Sequence, residues 1–265
     1  MARILFAAVL GLVGLILVNR MGSAREAAGR PPVVAATRPA DTIKTRTTRT
    51  EIRPPALPAE FPPSGTPIID RLAMLESRRR ILRARGATFI DSLLASTDSI
   101  LRRWPDRGGR PLTVFLSLGS LPVPYPNMPA VIREALDQWE GVGIGLRFDV
   151  VPDSTAADIQ VRWVAGFDVD RVGQADVQWS SDGLIRFSLV TLALKSFRGD
   201  RLPPEVLGAV ATHEFGHALG LAHSGNGNDV MFGTTRVGRL SARDRSTLTL
   251  LYSLPPGSLR DRGTR

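Results

Sequence analysis

Cysteine is absent from this 265-residue chain, so no disulfide staples it and no thiolate serves as ligand or nucleophile. Lysine is almost absent: of 34 basic residues only Lys44 and Lys195 are lysine, an arginine bias read here as genome composition rather than a selected basic surface. The formal charge of +9 is also unevenly placed. Residues 1–110 carry 19 Lys and Arg against 9 Asp and Glu, and residues 111–265 carry 15 against 16. The second part is nearly neutral, so no nucleic-acid partner is expected. What the basic first part leaves open is attraction to anionic surfaces such as lipid headgroups.

Histidine is scarce as well, but not scattered. His213, His217 and His223 are the whole complement, and they fall within eleven residues of the stretch Ala211 to Ser224. His213 and His217 are four apart, so on a helix they stand one turn above the other on a single face, where two imidazoles reach one ion. Glu214 lies about 100° around the helix from His213, beside that ion and not beneath it, which suits a general base taking a proton from water better than a ligand. Gly220 can adopt the left-handed conformation that stops a helix and turns the chain sharply. That turn brings His223 back as a third ligand. Three neutral imidazoles with a fourth position open are a catalytic zinc arrangement.

These residues match H-E-x-x-H-x-x-G-x-x-H in full, and Met231 follows eight residues after His223, as the Met-turn does in the metzincin metalloproteases. Ser224 directly after the third histidine and the short run to Met231 resemble the matrixins, the matrix-metalloprotease-like branch. The resemblance implies that Met231 is a hydrophobic floor under the zinc and that Phe232 to Val237 wall the primed-side pocket. It also implies that the strand at Val172 to Trp179 edges the cleft and pairs with an extended peptide, with Val172, Gly173, Gln174 and Ala175 as substrate-binding residues; a plain interior or edge strand is the other reading. Family members often bind calcium, for which Asp168, Asp170, Asp176 and Asp182 are candidates, although no calcium loop surrounds them and a solvated acidic stretch is the preferred reading. Two features depart from the family. Lack of cysteine excludes the cysteine switch of matrixin propeptides. Arg243-Asp244 stands where matrixins usually place two adjacent acids, which weighs against the family's contact between a matured N-terminus and that helix. The histidine count leaves none for a structural second zinc.

Along the chain, Ile4 to Val18 is fifteen uncharged, mostly apolar residues. This is an export signal in length, short of the ~20 that span a bilayer comfortably. Gly22-Ser23-Ala24 offers cleavage after Ala24, and an uncleaved membrane anchor is the alternative. Residues 25–67 are rich in Pro, Thr, Ala and Arg without periodicity, the composition of a disordered linker. Residues 68–104 carry two helical patterns, one with Ile69, Leu72, Leu75 and Leu82 as apolar positions and one running from Phe89 to Trp104. They are read as a helical spacer, a pro-segment or a pack-on subdomain.

From residue 105 the pattern turns to mixed α and β. Strands are expected at Pro111 to Leu118, Leu146 to Val151 and Ile159 to Val164. A helix from about Pro129 to Glu140 buries Val131, Leu136 and Trp139. Val172 to Trp179 and Leu184 to Thr191 form a hairpin around Asp182-Gly183. Pro203-Pro204-Glu205 starts the zinc helix, which turns Leu207, Ala211, Phe215, Ala218 and Leu219 to the core and lets the sheet approach at Gly208, Ala209 and Gly216. Ser241 and Asp244 cap a last helix through Tyr252, and residues 257–265 are expected as a disordered tail.

The expected fold is α+β: a metzincin-like catalytic domain over residues 105–256 with a mixed, mostly parallel twisted sheet, an active-site helix and a C-terminal helix. The expected activity is that of an exported, monomeric zinc endopeptidase with Glu214 as base, secreted, periplasmic or anchored through residues 4–18, acting on peptide or protein substrates. A zinc-containing binding or scaffold module, or a processing enzyme with a single partner, are the alternatives.

Overall fold

Short strands of alternating burial build the sheet that backs the histidine-bearing helix. The computed structural model describes residues 71–118, 127–234 and 237–260; the expected export segment, the linker and most of the Pro-rich turn lie outside the described residues. Strands β2 (Leu112–Leu116), β3 (Phe148–Val151), β4 (Ile159–Val164), β5 (Gly173–Trp179) and β6 (Ile185–Ala193) form a five-stranded sheet in the order β3-β2-β4-β6-β5. The first four run parallel, and β5 closes one edge antiparallel to β6. Side chains alternate across a strand, so Leu112 and Val114 of β2 and Ile159, Val161 and Trp163 of β4 are buried together. The expected hairpin is present: Asp182 accepts from the Ser180 hydroxyl and the Leu184 amide, and Gly183 takes φ 81°.

Two helices cover the sheet beside the site. Helix α3 (Met128–Glu140) buries Ile132, Ala135, Leu136 and Trp139, and packs on α4 (Pro204–Ala218), which lies against β5 and β6. Leu207, Ala211, Phe215 and Ala218 of α4 are fully buried, as their 3.6-residue spacing requires. Val131 is only half-buried. The small residues of α4 serve a different neighbour from the one expected. Gly216 admits Met231 and Trp139, whose Cζ2 would lie 2.9 Å from a Cβ there, and Gly208 meets Val131 at 3.8 Å. These glycines face helix α3 and the Met-turn because they lie around the helix from the residues that meet the sheet. The sheet itself comes close through its own glycine, Gly173.

Residues before 105 do not stand apart. Helix α1 (Arg71–Ala84) precedes α2 (Ile90–Ser96) and β1 (Ile100–Leu101), and Ile90, Leu93, Leu101 and Trp104 belong to the same buried cluster as Trp139 and Phe215. The apolar face of α1 is Met74 and Ile81, while Leu72, Leu75 and Leu82 are exposed, the reverse of the expected face. The second helix ends at Ser96 instead of running to Trp104. Asp98 and Ser99 turn the chain with φ of 56° and 62°, freeing Ile100 and Leu101 to pair antiparallel with β7 (Gly257–Ser258). Residues 257–260, expected as the start of a disordered tail, are therefore structured, and Leu259 is buried. Helix α5 (Ala242–Ser253) is tied to this N-terminal region, with the Phe89 amide donating to Thr247 Oγ1 at 3.1 Å and Arg80 donating to the Ser253 carbonyl at 2.8 Å.

Candidate metal centre

The last turns of α4 present His213 and His217 on one face, and the helix then stops as the sequence requires. Gly220 takes φ 98°. Its amide donates to the His217 carbonyl and the Leu221 amide to the Gly216 carbonyl, both at 2.9 Å, the paired bonds of a Schellman motif. The reversed chain brings His223 to the other two. His217 Nε2 lies 3.1 Å from His213 Nε2 and 3.2 Å from His223 Nε2.

The other ring nitrogens explain why these atoms converge. His213 Nδ1 donates to the Val230 carbonyl at 2.7 Å and His217 Nδ1 to the Leu221 carbonyl at 2.8 Å, which places the proton on Nδ1 and leaves the Nε2 lone pair free. Burial pushes His213 down to about 4 and, with the other two imidazoles adding, His217 down to about 3; His223 is lowered by burial too. All three are neutral at pH 7. The Nε2 lone pairs of His213 and His217, 3.1 Å apart with no proton between them, repel unless a cation lies between. The spacing suits zinc, for which tetrahedral bonds of about 2.0–2.1 Å put ligand nitrogens about 3.3 Å apart. Among the described residues, this triad is the group of His, Cys, Asp or Glu side chains that comes together as a metal site.

Glu214 is 6% exposed. Burial pushes its carboxyl up to about 8, with the charge of Arg171 opposing and that of Asp176 adding to the rise. The carboxyl is packed against β5 at Gly173. Val172, Gly173, Gln174 and Ala175 lie on or next to this edge strand, whose outer side has no strand partner among the described residues. Asp176 accepts from Gln174 at 2.7 Å and Asp182 is occupied in the hairpin turn. Of the expected pocket wall at 232–237, residues 235 and 236 lie outside the described residues.

Met231 is fully buried against Gly216, between the second and third motif positions. Its turn is held by two acids that sequence reasoning missed in this role. Asp244, the N3 partner in the capping box of α5, is fully buried and also accepts from the Val230 amide at 2.8 Å and the Met231 amide at 3.3 Å. Asp229, 1% exposed, accepts from the hydroxyls of Ser224 and Ser241 and lies 3.7 Å from Arg243 Nη1. The Val230 carbonyl that orients His213 is thus fixed by Asp244 one amide away. The cap signature Ser-x-x-Asp exposed half of this arrangement; the Met-turn contacts have no local signal.

The matrixin family model matches residues 204–253, from the first residue of α4 to the last of α5. A protein of Arabidopsis thaliana named metalloendoproteinase 1-MMP is 30% identical over 119 residues, 42% of this chain and 32% of that protein. Matrix metalloproteinase-25 of Homo sapiens is 48% identical over 64 residues, 22% of this chain and 11% of that protein. The chain spans about a third of the length of the first relative and about a tenth of the second. Through the segment that supplies the three imidazoles, the carboxyl group and the Met-turn, this chain is matrixin-like and resembles the metalloproteases of that family.

Proposed function

We propose that the chain is a zinc-dependent endopeptidase that acts outside the cytoplasm. The observation that carries the reading is the convergence of three neutral imidazoles, with His217 Nε2 3.1 Å from His213 Nε2 and 3.2 Å from His223 Nε2, on the helix that also carries a buried carboxyl at Glu214. His213, His217 and His223 would hold the ion. When bound, zinc supplies Lewis acidity that polarises a carbonyl and makes water a stronger acid.

The chain's own groups do the rest. The outer edge of β5, from Val172 to Ala175, offers backbone donors and acceptors to an extended peptide and so holds many sequences with little side-chain selection. Glu214 takes a proton from the attacking water onto its carboxylate as the carbon–oxygen bond forms. It hands that proton to the leaving nitrogen as the carbon–nitrogen bond breaks. Metal-free burial sets the carboxyl near 8, and a dication alongside lowers it, so it can act as a base at neutral pH and still return the proton. Export rests on the apolar run Ile4 to Val18.

The test uses the full chain, since residues before 105 supply part of the core. Incubation with an unfolded protein should give cleavage that a chelator stops and added zinc restores. Absence of chelator-sensitive cleavage would leave a zinc-containing binding module.

A further inference from the structure

We propose that Arg102 and Trp179 form a subsite beside the histidine triad that binds the carboxylate side chain of an Asp or Glu in the peptide substrate. The proposal rests on the endopeptidase reading. A cavity of about 370 Å³ lies alongside the triad, lined by His217 and His223, by Ala175, Val177 and Trp179 of β5, and by Arg102 from the segment after α2. No acid contributes to this lining. The guanidinium is its fixed charge.

Arg102 Cζ lies 3.6 Å from the centre of the Trp179 ring. Stacking of this kind occupies the face of the guanidinium and leaves the N–H fork along its edge available to a planar anion. Among the described residues no acid answers that fork, whereas Arg107, Arg133, Arg186 and Arg260 each have an acid. The Nε of Arg102 is buried without a hydrogen-bond partner and closed off from solvent, so the groups left to an incoming anion are the two terminal Nη, and a carboxylate is the acceptor whose two oxygens fit that end-on fork. Burial also lowers the pKa of Arg102, as expected for a cation without a counter-charge.

The position of Arg102 is built into the fold. Its carbonyl lies where a Cβ on Gly220 would stand, so the glycine that turns the chain toward the third ligand also admits this segment. On either side, Ile100 and Leu101 pair with β7, and the Trp104 indole donates to the Ala218 carbonyl at 3.0 Å. Trp179 is 43% exposed and stands at the irregularity in β5 between Gln178 and Trp179; such bulges re-aim a side chain. Gly173 marks the level of Glu214 on the same strand. A peptide laid along β5 advances about 3.3 Å per residue, which puts the acidic side chain a few residues from the bond that is cut.

The experiment incubates the full chain, and its Arg102→Gln and Arg102→Lys variants, with a proteome-derived peptide library and reads the residues on both sides of each cut by mass spectrometry. The expected result is Asp and Glu enriched at one fixed position within about six residues of the cut by the unaltered chain. Arg102→Gln should reduce the preference about tenfold while cuts in neutral sequences continue, and Arg102→Lys should keep part of it. Equal acid frequencies in all three overturn the subsite and leave the peptidase reading intact. If none of the three cuts anything, that reading falls and the pocket is judged by retention of the same library on the immobilised proteins. Acidic peptides held by the unaltered chain and not by Arg102→Gln then support it, and equal retention overturns it.

Discussion

Gly173 of β5 and Glu214 of α4 are in contact with no space for another atom: a Cβ on the glycine would overlap the carboxylate Oε1 and lie 2.8 Å from the Glu214 Cγ and 2.7 Å from the Val210 Cγ1. The requirement at residue 173 is one of room, since its backbone is not in the left-handed region. The strand edge that would align a peptide therefore also sets where the carboxyl stands.

Gly173→Ala is expected to push the Glu214 carboxyl aside without touching the three ligands. Displacement of a reacting group by about 1 Å costs on the order of a hundredfold in rate, so kcat/KM should fall by about that much while bound zinc stays at the level of the unaltered protein. Steady-state kinetics beside metal analysis check this. Full activity in the alanine variant would mean that the carboxyl works from a displaced position or not at all.

Glu214→Gln keeps the shape of the side chain and removes its ability to take a proton. General base catalysis contributes about 10²–10⁴-fold, and a loss of that size with zinc still bound is the expected outcome. Cleavage at the original rate would take the residue out of the mechanism.

The convergence of the three imidazoles was legible from the sequence because their spacing is local: four residues on one helix face, then a glycine and a turn. The hairpin and the capping box were legible for the same reason. What escaped reading depends on partners far along the chain. Leu72, Leu75 and Leu82 look like a core face, but the neighbours of α1 meet Met74 and Ile81 instead. Ile100 and Leu101 continue a helical pattern, yet strand β7, more than 150 positions later, pulls them into pairing. Asp244 was visible as a cap, while its bonds to Val230 and Met231 arise only when α5 folds beneath the Met-turn.

That last contact predicts a remote effect on metal binding. In Asp244→Asn one carboxylate oxygen becomes an NH₂ donor, so at least one of the amides of Val230, Met231 and Ser241 loses its acceptor. An unsatisfied buried donor costs about 1–3 kcal/mol, and loss of support behind a ligand typically weakens metal binding by about 10–100-fold. A lower melting temperature together with faster loss of zinc to a competing chelator is expected. A drop in melting temperature with unchanged zinc affinity would separate the turn from the orientation of His213.

Removing the metal should expose a pH dependence with two limbs owned by different residues. In the metal-free protein His213 titrates at about 4 and His217 at about 3, below an ordinary value of 6.5. The unfolded chain therefore takes up their protons first, and stability falls as pH drops from about 6.5 toward 4. Glu214 acts in the opposite sense: its folded value of about 8 lies above the ordinary 4.5, so the folded chain keeps a proton that the unfolded chain gives up, and this contribution is lost as pH rises through that interval. Between about 4.5 and 6.5 the imidazoles, His223 included, outweigh the one carboxyl, and above that range the carboxyl dominates among the described residues. Melting temperatures in excess chelator should accordingly peak near pH 6.5 and decline on both sides. Glu214→Gln should abolish the alkaline decline and spare the acid one, because among the described residues the carboxyl is the group whose value is shifted across that interval; an alkaline limb that persists in the glutamine variant would assign that proton to another group.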